Sequence, residues 1–177
     1  MSWSSALLLL FLAATAVAQE RELEVPAVEV FGGYSYLHSD HHSLNGWKAV
    51  VVGNVNHWFG VAADFDGYYR SEPTSHGKEK EREYSFTFGP HFALRKNKLV
   101  PFAYTLFGAA REHVSHSGPG ESATGFAAEY GGGLDLEINE RFAFRLIDVA
   151  ASVTRIHDET KTKPKVSFGV VFHFGRK

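Results

Sequence analysis

The chain has no cysteine, so it has no disulfide framework and no thiolate metal site. Beyond Ala18 it also lacks any long apolar run, which excludes a membrane-spanning helix from the mature sequence. Its net charge of −2 carries no excess of basic residues, so no nucleic-acid partner is expected. Helical periodicity is missing as well. Aromatics and turn formers are abundant: 15 Phe, 7 Tyr and 3 Trp stand among 17 Gly and 6 Pro. That composition suits many short strands joined by turns, and 177 residues suffice for one such domain.

The start reads as an export signal. An apolar run covers Ala6 to Val17, and Ala16-Val17-Ala18 is a small-residue cleavage site. We expect residues 1–18 to be removed and 19–26 to be a charged lead-in. The last strand sets the pattern for the rest. Val166, Phe168, Val170, Phe172 and Phe174 share one face; Lys165, Ser167, Gly169, Val171 and His173 share the other. Seven further stretches alternate in the same way from Ala27 onward. The connections between them alternate long and short. The long ones are His38–Asn45, Arg70–Glu83, Ser115–Ala123 and Thr154–Lys163; the short ones lie at Asn56–Trp58, Arg95–Leu99 and Asn139–Glu140.

Strands of about ten residues are long enough to cross a membrane when tilted. An even number of them lets the sheet close without exposing an edge to lipid. The expected fold is therefore all-β: an eight-stranded antiparallel up-and-down transmembrane β-barrel over residues 27–174, with a short tail at 175–177. Both termini and the short turns would lie in the periplasm, and the long loops outside. Asp148 falls on a greasy face, which predicts a β-bulge or a position near the membrane interface.

The polar faces would line the lumen. The charges expected there are Glu29, Asp64, Asp66, Glu129, Asp135 and Glu137, opposed by Lys48, Arg111, Arg145 and Lys165. Phe31, Val50, Val52 and Phe107 fall on the same inner face. An eight-stranded barrel is just wide enough for side chains to fill. Mixed charges there should pair, because an unpaired one costs several kcal/mol. The expectation is a plugged lumen; a narrow gated pore is the alternative.

The closing segment Ser167-x-Gly169-x-x-Phe172-x-Phe174 resembles the C-terminal signal of bacterial outer-membrane barrels. The resemblance implies that Gly169, Phe172 and Phe174 are read by the barrel assembly machinery. Val30-Phe31-Gly32-Gly33-Tyr34-Ser35-Tyr36, Gly46-Trp47, Ala62-Ala63-Asp64-Phe65-Asp66-Gly67 and Pro101-Phe102 resemble the small eight-stranded barrels related to the membrane domain of OmpA. That implies an outer-membrane location, contact with outer-membrane lipid and a monomer. The architecture carries porin-like, adhesive, enzymatic and structural roles; with greasy residues continuous outward and charges gathered inward, the expected role here is structural or small-solute permeability, without catalysis.

Two other classes fit parts of the chain. A secreted lipocalin-like barrel would turn the greasy face inward around a hydrophobic ligand; Gly46-Trp47 is a loose echo of that family. Outer-membrane lipid A deacylases carry a His and a Ser spaced like His113-x-Ser115, with a Glu, on the lipid side. Here Glu129 is expected in the lumen, so no catalytic residue is assigned. Histidines gather at the expected outer rim: His38, His41, His42, His76, His113, His116 and His157. None has the spacing of a dedicated ligand motif, so neither a metal nor a cofactor is expected.

Overall fold

The computed structural model describes residues 25–39, 42–74, 77–115, 121–156 and 159–176. They form eight strands: β1 (Pro26–Ser39), β2 (His42–Asn54), β3 (Phe59–Thr74), β4 (Gly77–Ala93), β5 (Leu99–Ser115), β6 (Glu121–Asn139), β7 (Phe142–Ile156) and β8 (Glu159–Arg176). Each strand pairs antiparallel with the next, and β8 pairs with β1 to close the barrel. Closure satisfies both edges of every strand, the condition for a sheet in hydrocarbon.

Two of the short turns rest on asparagine. Asn56 Oδ1 accepts from the backbone N–H of Trp58 at 3.0 Å and of Phe59 at 2.8 Å. Asn139 Oδ1 does the same for Arg141 at 2.8 Å and Phe142 at 3.1 Å. A side chain that mimics a backbone turn fixes where each hairpin reverses.

At the other end the hairpins are longer than the sequence suggests. The strands run from 13 residues in β2 to 19 in β6, rather than about ten. Most of the expected long loops are paired strand. Lys78-Glu79-Lys80-Glu81-Arg82-Glu83, for example, continues the β3–β4 ladder. Above the apolar band the outward face no longer needs apolar residues, so the ladder continues without an apolar side to mark it.

Following partners round the sheet from Gly32 passes Ala49, Phe65, Phe86, Ala109, Phe126 and Arg155 and arrives at Thr160 on β8. Gly32 itself is bonded to Val170. The sheet therefore closes with a stagger of about ten residues, which tilts the strands by roughly 40°.

The expected bulge is present. The β7–β8 register shifts between Arg145 and Asp148. Leu146 and Ile147 both point outward, 48% and 45% exposed, and Asp148 turns inward at 1%. The greasy faces of the sheet lie outside: Phe65, Phe86, Phe88, Phe107, Phe168, Phe172 and Phe174 are all exposed.

One strand is inverted relative to the sequence reading. On β5 the buried side chains are Val100, Phe102, Tyr104, Leu106 and Ala110. Phe107 and Arg111 face outward instead of into the lumen. Both faces of β5 are apolar through the membrane, so Arg111 alone tipped the assignment. Its register partner Tyr84 is an outward residue near the end of the apolar band, where a long cation reaches water while its stem stays on apolar surface.

Candidate functional site in the barrel lumen

Seven inward side chains meet at the middle of the barrel: Lys48, Asp64, Asp66, Tyr104, Glu129, Asp148 and Lys165. Each is buried. Lys48 Nζ lies 3.1 Å from Asp64 Oδ2, 2.9 Å from Glu129 Oε1 and 2.9 Å from Asp148 Oδ2. It also donates to the Tyr104 hydroxyl at 3.0 Å. Tyr104 in turn sits 2.9 Å from Glu129 and 2.8 Å from Asp148. Lys165 bridges Asp66 and the second oxygen of Glu129. Glu129 thus joins the two ammonium groups. Ser85 donates to Asp66 at 3.1 Å.

Four carboxylates surround two ammonium groups here. Asp64 is an ion-pair partner of Lys48, yet neither of its oxygens accepts a well-aligned hydrogen bond. The Oδ1 of Asp66 and the hydroxyl of Thr87, across from Asp64 on β4, are in the same position. Oxygens of Asp64, Asp66 and Glu129 lie within 4.8 Å of one another, close enough to hold a cation. Lys48 and Lys165 already supply positive charge to those carboxylates.

A second group lies one layer nearer the short turns. Arg145 holds Asp135 through two parallel bonds, Nε to Oδ1 at 2.8 Å and Nη2 to Oδ2 at 2.9 Å. Its guanidinium lies 4.5 Å from the ring centroid of Phe31 and 4.1 Å from that of Phe102. A planar cation between two aromatic faces is well matched to both its charge and its shape. Glycine makes the room. A Cβ at Gly33 would stand 2.6 Å from the Phe31 ring, and one at Gly133 would stand 2.7 Å from Phe102.

Polar groups also close both ends. Towards the short turns, Glu29 pairs with Arg95 and accepts from Asn54 Nδ2 at 2.7 Å. Glu137 lies 3.7 Å from His173 Nδ1. A cavity of about 440 Å³ opens there, lined in part by Arg95, Lys98, Glu137 and His173. Towards the long hairpins, Ser35 contacts Tyr68 at 2.7 Å and Ser167 at 2.8 Å beneath buried Leu37 and Leu44. Higher still, Lys163 pairs with Glu83 at 2.6 Å and Glu112 at 3.3 Å.

Of the ten charges expected inside, the structure brings Lys48, Asp64, Asp66, Glu129 and Lys165 into one cluster and Asp135 and Arg145 into another. Glu29 and Glu137 sit at one mouth, and Arg111 is outside. Sequence reasoning missed Tyr104, Asp148, Arg95, Glu83, Glu112 and Lys163. Glu112 was a usable signal, because it shares a face with Tyr104 and so places that face inward. The others were hidden by the bulge or assigned to loops.

His113 Nδ1 is 2.8 Å from Ser122 Oγ on the rim, while Glu129 is in the lumen, so the deacylase-like arrangement is not assembled by these residues. Of the rim histidines, His41, His76, His116 and His157 lie outside the described residues, as does the expected signal peptide.

A closed antiparallel barrel with an apolar exterior and an ionic interior is a transmembrane β-barrel, and the lipocalin-like alternative has its faces the wrong way round. The chain belongs to the outer membrane protein beta-barrel domain family, whose model matches residues 4–174. No curated protein matches the sequence. Among solved structures, Neisserial surface protein A (NspA) aligns with a TM-score of 0.61 at 15% identity, over 83% of this chain and 96% of that one. Ail, the attachment invasion locus protein of Yersinia pestis, crystallised with the heparin analogue sucrose octasulfate, aligns with a TM-score of 0.58 at 20% identity over the same shares. The N-terminal barrel of Pseudomonas aeruginosa OprF gives 0.51 at 17%, over 85% of this chain and 99% of that one. These likenesses show the fold, and the outer-membrane location follows from the family.

Proposed function

We propose that this is a monomeric structural barrel of the outer membrane whose lumen is closed by its own side chains. The observation that carries the reading is the Lys48–Glu129–Lys165 bridge, which ties β2, β6 and β8 together across the interior. Phe31, Arg145 and Phe102 fill the layer below it. A solute crossing the barrel would have to break both layers, and each ion left inside without its partner costs several kcal/mol. Delivery by a cleaved signal over residues 1–18, and assembly through Gly169, Phe172 and Phe174, belong to the same proposal. Phe172 and Phe174 point outward at the end of β8, where a partner can reach them.

The test is conductance. The mature chain, folded and inserted into planar bilayers, should give no steady channel, and liposomes containing it should not swell in small sugars. Removing the two rings with Phe31→Ala and Phe102→Ala should leave a barrel that still shifts in gel mobility on boiling but begins to leak. Steady conductance by the unaltered protein would favour the alternative, a small-solute pore.

A further inference from the structure

At the mouth formed by the short turns, the start of β1 faces the turn between β4 and β5. Eight strands spaced about 4.8 Å apart and tilted by roughly 40° close a ring about 16 Å across, in which that turn stands almost opposite β1. The cavity of about 440 Å³ spans the gap: Val25 and Pro26 line it on the β1 side, and Arg95, Lys96, Lys98 and Val100 line it on the far side. Val25, the residue just before β1, is itself buried, and so is Val100. The chain therefore reaches β1 from within the mouth, over a partly apolar floor.

Charge is unevenly placed around this cavity. Arg95 is held by Glu29. Lys96 and Lys98 are exposed, and no carboxylate among the described residues pairs with them. The acids of the wall lie on the β6–β7 side: Glu137 stands 3.7 Å from His173 Nδ1, and Glu140 has a partner of its own. Upstream of Val25 the sequence runs Gln19-Glu20-Arg21-Glu22-Leu23-Glu24, with three acids against one base. These six residues lie outside the described ones.

We infer that this lead-in docks across the mouth as a cap, with Leu23 in the cavity and the carboxylates of Glu20 and Glu22 at Lys96 and Lys98. The inference rests on the reading that residues 1–18 are removed. From Val25 back to Glu20 is five residues, about 17 Å when extended, which is enough to cross a ring of about 16 Å. An extended segment that turns Val25 into the cavity turns Leu23 the same way, and Glu22 and Glu24 the other. Leu23 then covers the apolar floor near Val100, while the acids stay at the rim. Lysine suits that rim, because its flexible stem carries a point charge that sets no fixed geometry. Exposed ion pairs are individually weak, so they steer the segment across while the burial of Leu23 holds it down.

The test uses the chain made to begin at Gln19, folded in detergent micelles that leave both mouths open to reagent, so its outcome does not depend on where the signal is cut. The protein has no cysteine, so Leu23→Cys and Gln19→Cys each give a single labelling site. Leu23→Cys should react with a polymer-bearing maleimide about tenfold more slowly than Gln19→Cys. Lys96→Glu with Lys98→Glu should raise its rate to that of Gln19→Cys, and Lys96→Arg with Lys98→Arg should keep it slow. In the chain without substitutions, a zero-length carbodiimide should join Glu20 or Glu22 to Lys96 or Lys98, read by peptide mass spectrometry. Heat-dependent gel mobility shows that each variant has formed its barrel, and none of these readouts depends on whether the lumen conducts. Equal labelling at the two positions, a slow Leu23→Cys rate that survives the glutamate pair, or carbodiimide links that never reach the β4–β5 turn would overturn the cap.

Discussion

The two ionic layers of the lumen solve the same problem differently. Around Arg145 there is one principal carboxylate, Asp135, held by two parallel bonds; Asp148 stands 4.0 Å from Nη1, and Phe31 and Phe102 lie against the guanidinium. Around Lys48 and Lys165 there are four carboxylates, and Glu129 is shared. The first layer is matched in charge and specified by shape. The second is held by excess acid, so its two ammonium groups are the irreplaceable parts and its carboxylates are partly redundant.

The largest expected effect follows from that imbalance. Lys48→Met removes a cation that touches three carboxylates and the Tyr104 hydroxyl. It leaves those acids buried without their main counter-charge, at a cost of about 3–5 kcal/mol. Urea unfolding of the barrel in liposomes, followed by tryptophan fluorescence, reads this directly. Lys165→Met should come close behind, since Lys165 bridges two carboxylates rather than three. If either variant were no less stable than Asp64→Asn, the contrast between irreplaceable ammonium groups and partly redundant carboxylates would be lost.

Arg145→Lys sharpens the other side of the comparison. The charge survives, but the two-point bond to Asp135 and the flat contact with both rings do not. A loss of about 2 kcal/mol is expected, intermediate in size. In the same assay, Gly133→Ala should mimic part of it, because the added carbon meets both the Phe102 ring at 2.7 Å and the Ile147 carbonyl at 2.0 Å. A lysine variant as stable as the parent would mean that shape matters little in this layer.

How much of this was legible in the sequence depended on how unlike the two faces of each strand are. β8 has Phe168, Phe172 and Phe174 against Lys165, Ser167 and His173, and its faces were assigned correctly. β3 was equally clear from Asp64 and Asp66. β5 is apolar on both sides, so Tyr104, a centrepiece of the lumen, was assigned to lipid. Asp148 needed an extra residue in β7 to reach the interior, and alternation alone does not reveal which way a bulge turns the chain. Lys163 and Glu83 lie where the sheet has left the membrane, and there alternation no longer reports on an apolar phase.

Glu129→Gln and Asp64→Asn complete the ranking and test redundancy itself. Glu129 receives both ammonium groups, so its amide variant gives up two charge-assisted contacts, while Asp64, Asp66 and Asp148 remain to hold Lys48 and Lys165. The expected loss is about 1–2 kcal/mol. Asp64 is a different case. Its oxygens accept no well-aligned hydrogen bond, and its negative charge stands beside those of Asp66 and Glu129. An asparagine there keeps an oxygen to face Lys48 and removes one of four crowded charges. Its nitrogen gains the means to donate, and Thr87, its register partner on β4, carries a buried hydroxyl without a hydrogen bond. Asp64→Asn should therefore fall within about 0.5 kcal/mol of the parent, the smallest change of the series. A loss as large as that of Lys48→Met would show that every carboxylate in the cluster is needed, and that its apparent excess of acid is neutralised in some other way.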